Sequence, residues 1–176
     1  MNFTLSVLTF DGIQLGLPIE QLLSVEPIQD VHWRPGEETI SGKPSAVGVD
    51  WAQWHPDCLG VVAAIGQYLP VFSLSNELKC SSRTSLSRFV GCFHVEGAGT
   101  AAFLCEKLES LVCGLEQYTE LPDLMRGEHM SITGVVNRAG APVLVADTAR
   151  MMEFARLTIP LTHKTLVSTE LNFSQR

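Results

Sequence analysis

The sequence predicts a mainly β protein that uses one module twice, and three observations carry that prediction. Short segments alternate apolar and polar residues with a period of two, as Phe3–Phe10 does in FTLSVLTF. Gly, Pro and polar pairs punctuate them, and Asp11-Gly12 is a strong hairpin signal because Gly accepts the positive φ of a tight turn. The third observation is a repeat. LGVVAAIGQYLPVFSL (59–74) and TGVVNRAGAPVLVADT (133–148) place Gly60 and Gly134, then Gly66 and Gly140, each 74 positions apart.

Taken in order, Phe3–Phe10 is expected as a half-buried strand and Ile13–Leu17 as its hairpin partner. Pro18–Leu23 reads as one helical turn, with Pro at the start where its missing N–H costs nothing. Ser24–Glu26 leads out of it. Residues 27–57 carry Pro27, Pro35, Gly36, Gly42, Pro44 and Pro56 and read as a long surface loop with a short strand. Its three tryptophans, Trp33, Trp51 and Trp54, are expected to fold back as lids on the core rather than to bind a ligand. Leu59–Val62 and Leu69–Leu74 form the first GVV hairpin, closed around Gly66, with a short helix over Ser75–Lys79. The polar stretch 81–87 (SSRTSLS) is the best linker. Phe89–Val95 and Ala101–Cys105 pair across Glu96-Gly97, Glu106–Val112 continues as strand or turn, and Leu121–Met125 makes a helical turn. Ile132–Val136 and Ala141–Ala146 form the second GVV hairpin, and Thr148–Arg156 a terminal helix capped by Asp147.

The repeat reaches further back, more weakly. GLPIEQLLSVEP (16–27) aligns with AFLCEKLESLVC (102–113), matching Glu20 with Glu106, Leu22 with Leu108, Ser24 with Ser110 and Val25 with Leu111. Halves this small bury their apolar faces poorly alone and are stabilised by a shared core. The chain is therefore expected as a single domain over 1–176. A first lobe covers roughly 12–80. A second covers roughly 89–146 plus the N-terminal strand and C-terminal helix, and 157–176 is a tail.

Composition narrows the function. With 45% hydrophobic and 18% charged residues, the 176-residue chain can fill an interior. Its formal net charge of −7 disfavours nucleic acid and anionic membranes as partners. The N-terminus has no basic leader and no apolar run spans a bilayer, so a cytoplasmic protein without membrane insertion is expected. Five cysteines without a pairing pattern fit a reduced compartment.

Catalytic signatures are not found: the sequence contains no G-x-G-x-x-G, Walker loop, G-x-S-x-G or C-x-x-C. No cofactor is expected. His55-x-x-Cys58 and Cys92-x-His94 carry the donor types of a tetrahedral zinc site, but a strand pair and a loop pair are more simply read as buried thiols and ordinary histidines. Cys80, Cys105 and Cys113 have no local base to activate them, and Glu106 and Glu109 read as a solvated rim.

The order strand–DG–strand–LPIEQLLSVEP, then GVV…G…LPVFSL, then a second strand pair, then TGVVNRAGAPVLVADTARMM, resembles the CheW-like domain over residues 3–155. That family contains bacterial chemotaxis coupling proteins and the regulatory domain of the chemotaxis histidine kinase. The resemblance implies two intertwined five-stranded β-barrels around a common core, with a few short helices. It also implies a non-catalytic adaptor that binds the kinase regulatory domain on one surface and the cytoplasmic tip of a chemoreceptor on another. Carried over by position, the partner-binding residues are Leu22, Ser24 and Ile65, with Ala64 beside Ile65 in the same apolar patch. Where the family writes N-L-R-G, this chain writes Ala63-Ala64-Ile65-Gly66, so an apolar residue stands in place of an Arg fork. The departure points to a divergent member, serving a pilus or other non-flagellar chemosensory system. The alternatives are a degenerate CheW-like paralogue without receptor coupling, and a β-barrel that binds a small ligand or zinc.

Overall fold

The computed structural model describes residues 1–37, 48–82, 86–125 and 131–153. Thirteen strands are found there: β1 (Asn2–Phe10), β2 (Ile13–Pro18), β3 (Leu22–Pro27), β4 (His32–Trp33), β5 (Gly60–Ala64), β6 (Gln67–Leu74), β7 (Cys80–Ser81), β8 (Phe89–Val95), β9 (Gly99–Cys105), β10 (Lys107–Gly114), β11 (Tyr118–Glu120), β12 (Ile132–Val136) and β13 (Val143–Ala146). One short helix, α1 (Thr148–Met151), and single 3-10 turns complete them. The fold class is mainly β, as expected.

The strands form two sheets, ordered β10-β1-β2-β13-β12-β11 and β3-β8-β9-β6-β5-β4, with β7 beside β6. Replacing each strand by its counterpart in the other half turns one order into the other. Each path holds five principal strands and a sixth of two or three residues, β4 or β11. The halves exchange their first hairpins. β1–β2 joins the sheet of the second half by the parallel contact of Leu15 with Leu144, and β8–β9 joins that of the first by the parallel contact of Val71 with Ala102. The halves of the chain and the two sheets therefore do not coincide.

Exchange explains the burial. Each sheet curls around a private interior and turns its other face to a common core. Ile28, Val31, Trp33, Val62, Leu69, Val71 and Cys92 fill one interior, while Leu5, Val7, Cys113, Val136 and Val143 fill the other. Leu8, Leu15, Leu17, Phe72, Phe93 and Phe103 meet in the common core with Met151 and Met152. β1, expected to be half-buried, is instead buried continuously from Leu5 to Leu8, because Leu5 and Val7 point to one core and Leu8 to another. A fully buried Phe stabilises by about 1.5–3 kcal/mol, so the three phenylalanines at the junction weigh heavily in the shared core.

The two GVV glycines answer to close packing. A methyl group on Gly60 would stand 2.6 Å from the carbonyl oxygen of His32 on β4. On Gly134 it would run into the Tyr118 ring on β11, the counterpart strand. Gly66 is needed for its φ of 70°, as the second residue of a two-residue hairpin turn.

Several expectations are corrected. Ser75–Lys79 is a turn, in which Leu78 takes a φ of 58° and the Ser75 amide donates to the Lys79 carbonyl; these residues must reverse the chain between the paired Leu74 and Cys80, which leaves no room for a helix. The helical turn at 18–23 shrinks to a 3-10 turn over Ile19–Gln21, because β3 already begins at Leu22, which pairs with Phe93. The match of Ser24 with Ser110 and Val25 with Leu111 shifts by one. Leu22 faces Phe93 as Leu108 faces Leu8, but a bulge between Leu22 and Ser24 puts Ser24 opposite Cys92, whose counterpart Val7 faces Glu109. Asp147 caps α1 as expected, accepting from the amides of Ala149 and Arg150. The centre of the linker (83–85), the middle of the long loop (38–47), the far end of the helix (154–156) and the tail (157–176) lie outside the described residues.

The tryptophans do fold onto the cores. Trp33 is buried inside the first curled sheet, Trp54 in the common core, and Trp51 packs at its margin. Arg34 holds that loop. Its guanidinium donates to the carbonyls of His55 and Trp51, both at 3.1 Å, and to those of Pro56 and Cys58.

Candidate functional site

The β5–β6 hairpin projects Ile65 at its tip. Ala64 pairs with Gln67, so Ile65-Gly66 is a two-residue turn with φ of 48° and 70°, both in the left-handed region. That turn suits Asn-Gly or Asp-Gly, and the first hairpin obeys with Asp11-Gly12 at 45° and 76°. Ile65 breaks the rule. A β-branched side chain is strained there, and this one is 68% exposed, so it gains little by burial.

The other expected site residues do not share its surface. Ala64, expected to be exposed beside Ile65, is buried inside the first curled sheet, because β5 alternates and turns Ala63 outward instead. Leu22 packs on the common core from the opposite face of the same sheet. The Ser24 hydroxyl is buried beside the Cys92 thiol and makes no hydrogen bond of good geometry. Curling brings β3 against β5, so the strand bearing Leu22 and Ser24 and the hairpin bearing Ile65 are neighbours although their four side chains diverge.

Two residues that sequence reasoning missed lie on β3 and β8. Val25 and Phe89 are 42% and 39% exposed, and the register of Val25 with Gly91 and Pro27 with Phe89 places them on one face. A signal existed for Phe89, which opens an alternating strand directly after a polar linker. Val25 had none, since its orientation depends on the bulge.

The thiols are unsuited to nucleophilic chemistry. Burial pushes Cys58 and Cys92 up to about 11 and Cys80 and Cys105 up to about 12, so thiolate is scarce at neutral pH. The four zinc candidates are not brought together. Cys58 lies in the common core, Cys92 in the interior of the curled sheet, and His94 is exposed on β8. His55 accepts the Asp57 amide through Nδ1. Among the described residues no group of three or more His, Cys, Asp or Glu side chains is placed to hold a metal ion. Nor is any helix among them long and apolar enough to cross a membrane.

No family model matches the sequence, and no curated protein matches it either. The solved structures do contain a likeness. The crystal structure of the scaffolding protein TtCheW from Thermoanaerobacter tengcongensis superposes with a TM-score of 0.57 at 15% identity, covering 84% of this chain and 90% of that one. The fold is CheW-like. At 15% identity the likeness is one of fold and not of side chains.

Proposed function

We propose that this chain is a non-catalytic CheW-like signalling adaptor, which joins a chemotaxis-type histidine kinase to a chemoreceptor or a related signalling partner. The likeness to a scaffolding protein over most of both chains carries the reading. The buried, protonated thiols are consistent with it, as is the exposed Ile65 on a strained tip that folding alone does not favour. Partner contact in this reading uses the β5–β6 tip and the neighbouring β3 edge, with Ile65, Leu22 and Ser24 as the family positions and Val25 and Phe89 alongside, while the buried Ala64 only supports the tip.

One observation favours a second reading, an adaptor that keeps the kinase and has lost the receptor. An apolar side chain stands at 65, where the family carries Arg, and it cannot supply a charged fork to a receptor carboxylate. Calorimetric titration separates the two readings. The chain is titrated with the regulatory domain of the kinase from its own organism, and separately with a receptor cytoplasmic tip. Micromolar binding to both supports the full adaptor, and binding to the kinase alone supports the second reading. Silence toward the kinase domain at high micromolar concentration sinks both.

A further inference from the structure

A second surface lies at the far end of β6 from Ile65. Gln67 to Leu74 spans seven residue steps, roughly 23 Å at strand rise, so the two ends present separate surfaces. At this far end the exchanged elements meet around an open cleft of about 180 Å3. Its floor is Phe10 and Leu74, both members of the common core, and exposed Leu86 forms an apolar rim. Asp11, from the β1–β2 turn, and Glu106, between β9 and β10, add carboxylates, and Ser81 adds a hydroxyl. Asp11 Oδ2 accepts the Asn76 amide at 2.8 Å, and the Glu106 carboxylate accepts from no group among the described residues. No lysine, arginine or histidine is among the described residues that line the cleft.

We propose that this cleft is a docking site for a lysine or arginine side chain of a partner protein. An apolar slot with carboxylates at its mouth complements an aliphatic stem ending in a cation, the form in which these side chains bury their methylenes and keep the charge at the edge. Glu106 sits where the chain passes from β9 in one sheet to β10 in the other, and Asp11 on the turn of the exchanged β1–β2 hairpin, so the exchange brings the two carboxylates to one cleft. An acidic chain offering such a slot selects a basic partner by attraction at long range as well as by fit.

The test uses the full chain and three small probes, N-acetyl-arginine amide, N-acetyl-lysine amide and the uncharged N-acetyl-norleucine amide, followed by amide chemical shifts in NMR. Saturable shifts at Asp11, Asn76, Ser81 and Glu106 are expected with the cationic probes and not with norleucine. Glu106→Gln should weaken them about two- to fivefold, the range of an exposed charge pair. Asp11→Asn provides a second variant, because Asn is at home in this turn type and keeps the hairpin. Equal shifts with norleucine, shifts away from the cleft, or none at tens of millimolar would overturn the proposal. So would an Arg83→Ala variant that binds the probes more tightly, since the cleft would then belong to the chain's own arginine. Kinase-domain binding is measured on the same variants, so failure here is told apart from failure of the adaptor reading.

Discussion

The carbonyl oxygen of His32 stands 2.6 Å from where a methyl group on Gly60 would be, closer than a Cβ carbon comes to a backbone oxygen. Backbone in a paired strand cannot swing aside as a side chain can. Gly60→Ala should therefore cost about 1–3 kcal/mol. Gly66→Ala meets open space and should cost only about 1 kcal/mol, through its positive φ. Urea unfolding of the two variants checks the order, and an equal loss would mean that β4 is not held against β5.

Replacing Ile65 should stabilise the protein. Asn accepts the left-handed backbone that Ile resists, and at 68% exposure little burial is given up. Ile65→Asn is expected to gain about 0.5–1 kcal/mol, read as a higher midpoint of thermal unfolding. If the adaptor reading holds, the same variant binds its partner less well, so stability and binding move in opposite directions. A midpoint that stays or falls would show the tip to be unstrained.

Arg34 is a clamp that lysine cannot imitate. A planar fork reaches the His55 and Trp51 carbonyls together, and its centre lies 5.8 Å from the Trp51 ring. Arg34→Lys should cost about 1–2 kcal/mol and loosen residues 50–58. Tryptophan fluorescence should report wetter indoles at Trp51 and Trp54. Unchanged emission and stability would show that the loop is held by its tryptophans alone.

Alkaline pH should destabilise the fold earlier than its surface charge suggests. Folding raises the Cys58 thiol from about 9 to about 11, and Cys105 to about 12, both through burial. The unfolded chain therefore loses these protons first as pH rises. The contribution to stability is complete below pH 9 and disappears as pH climbs through about 11 to 12. At about pH 10.5 each of these two thiols should have withdrawn about 1–2 kcal/mol. Denaturation midpoints at pH 8 and 10.5 check this, and Cys105→Ala should lessen the fall. At pH 8 all five thiols should react slowly with a disulfide reagent until the chain is unfolded.

Much of this architecture was legible in the residues. Asp11-Gly12 located its hairpin, the GVV repeat located β5–β6 and β12–β13 to within two residues, and Asp147 announced its cap. What failed had no local cause. Ser75–Lys79 has a helical composition, but a short link into β7 forces it to turn. At the candidate site Ile65 fell where expected, whereas Ala64 was placed on the wrong side of its strand, because parity along β5 is set by which core Val61 and Val62 face.

By itself the sequence determined the period-two segments, the turns between them and the duplication, because those depend on local sterics and on spacing along the chain. Only the tertiary structure decided that the two halves trade hairpins, that a bulge at the start of β3 re-aims Ser24 and Val25, and that Asp11 and Glu106 meet over one cleft. These are pairings between residues far apart in the chain, chosen by how several apolar faces can be covered at once. No short stretch of sequence carries that information.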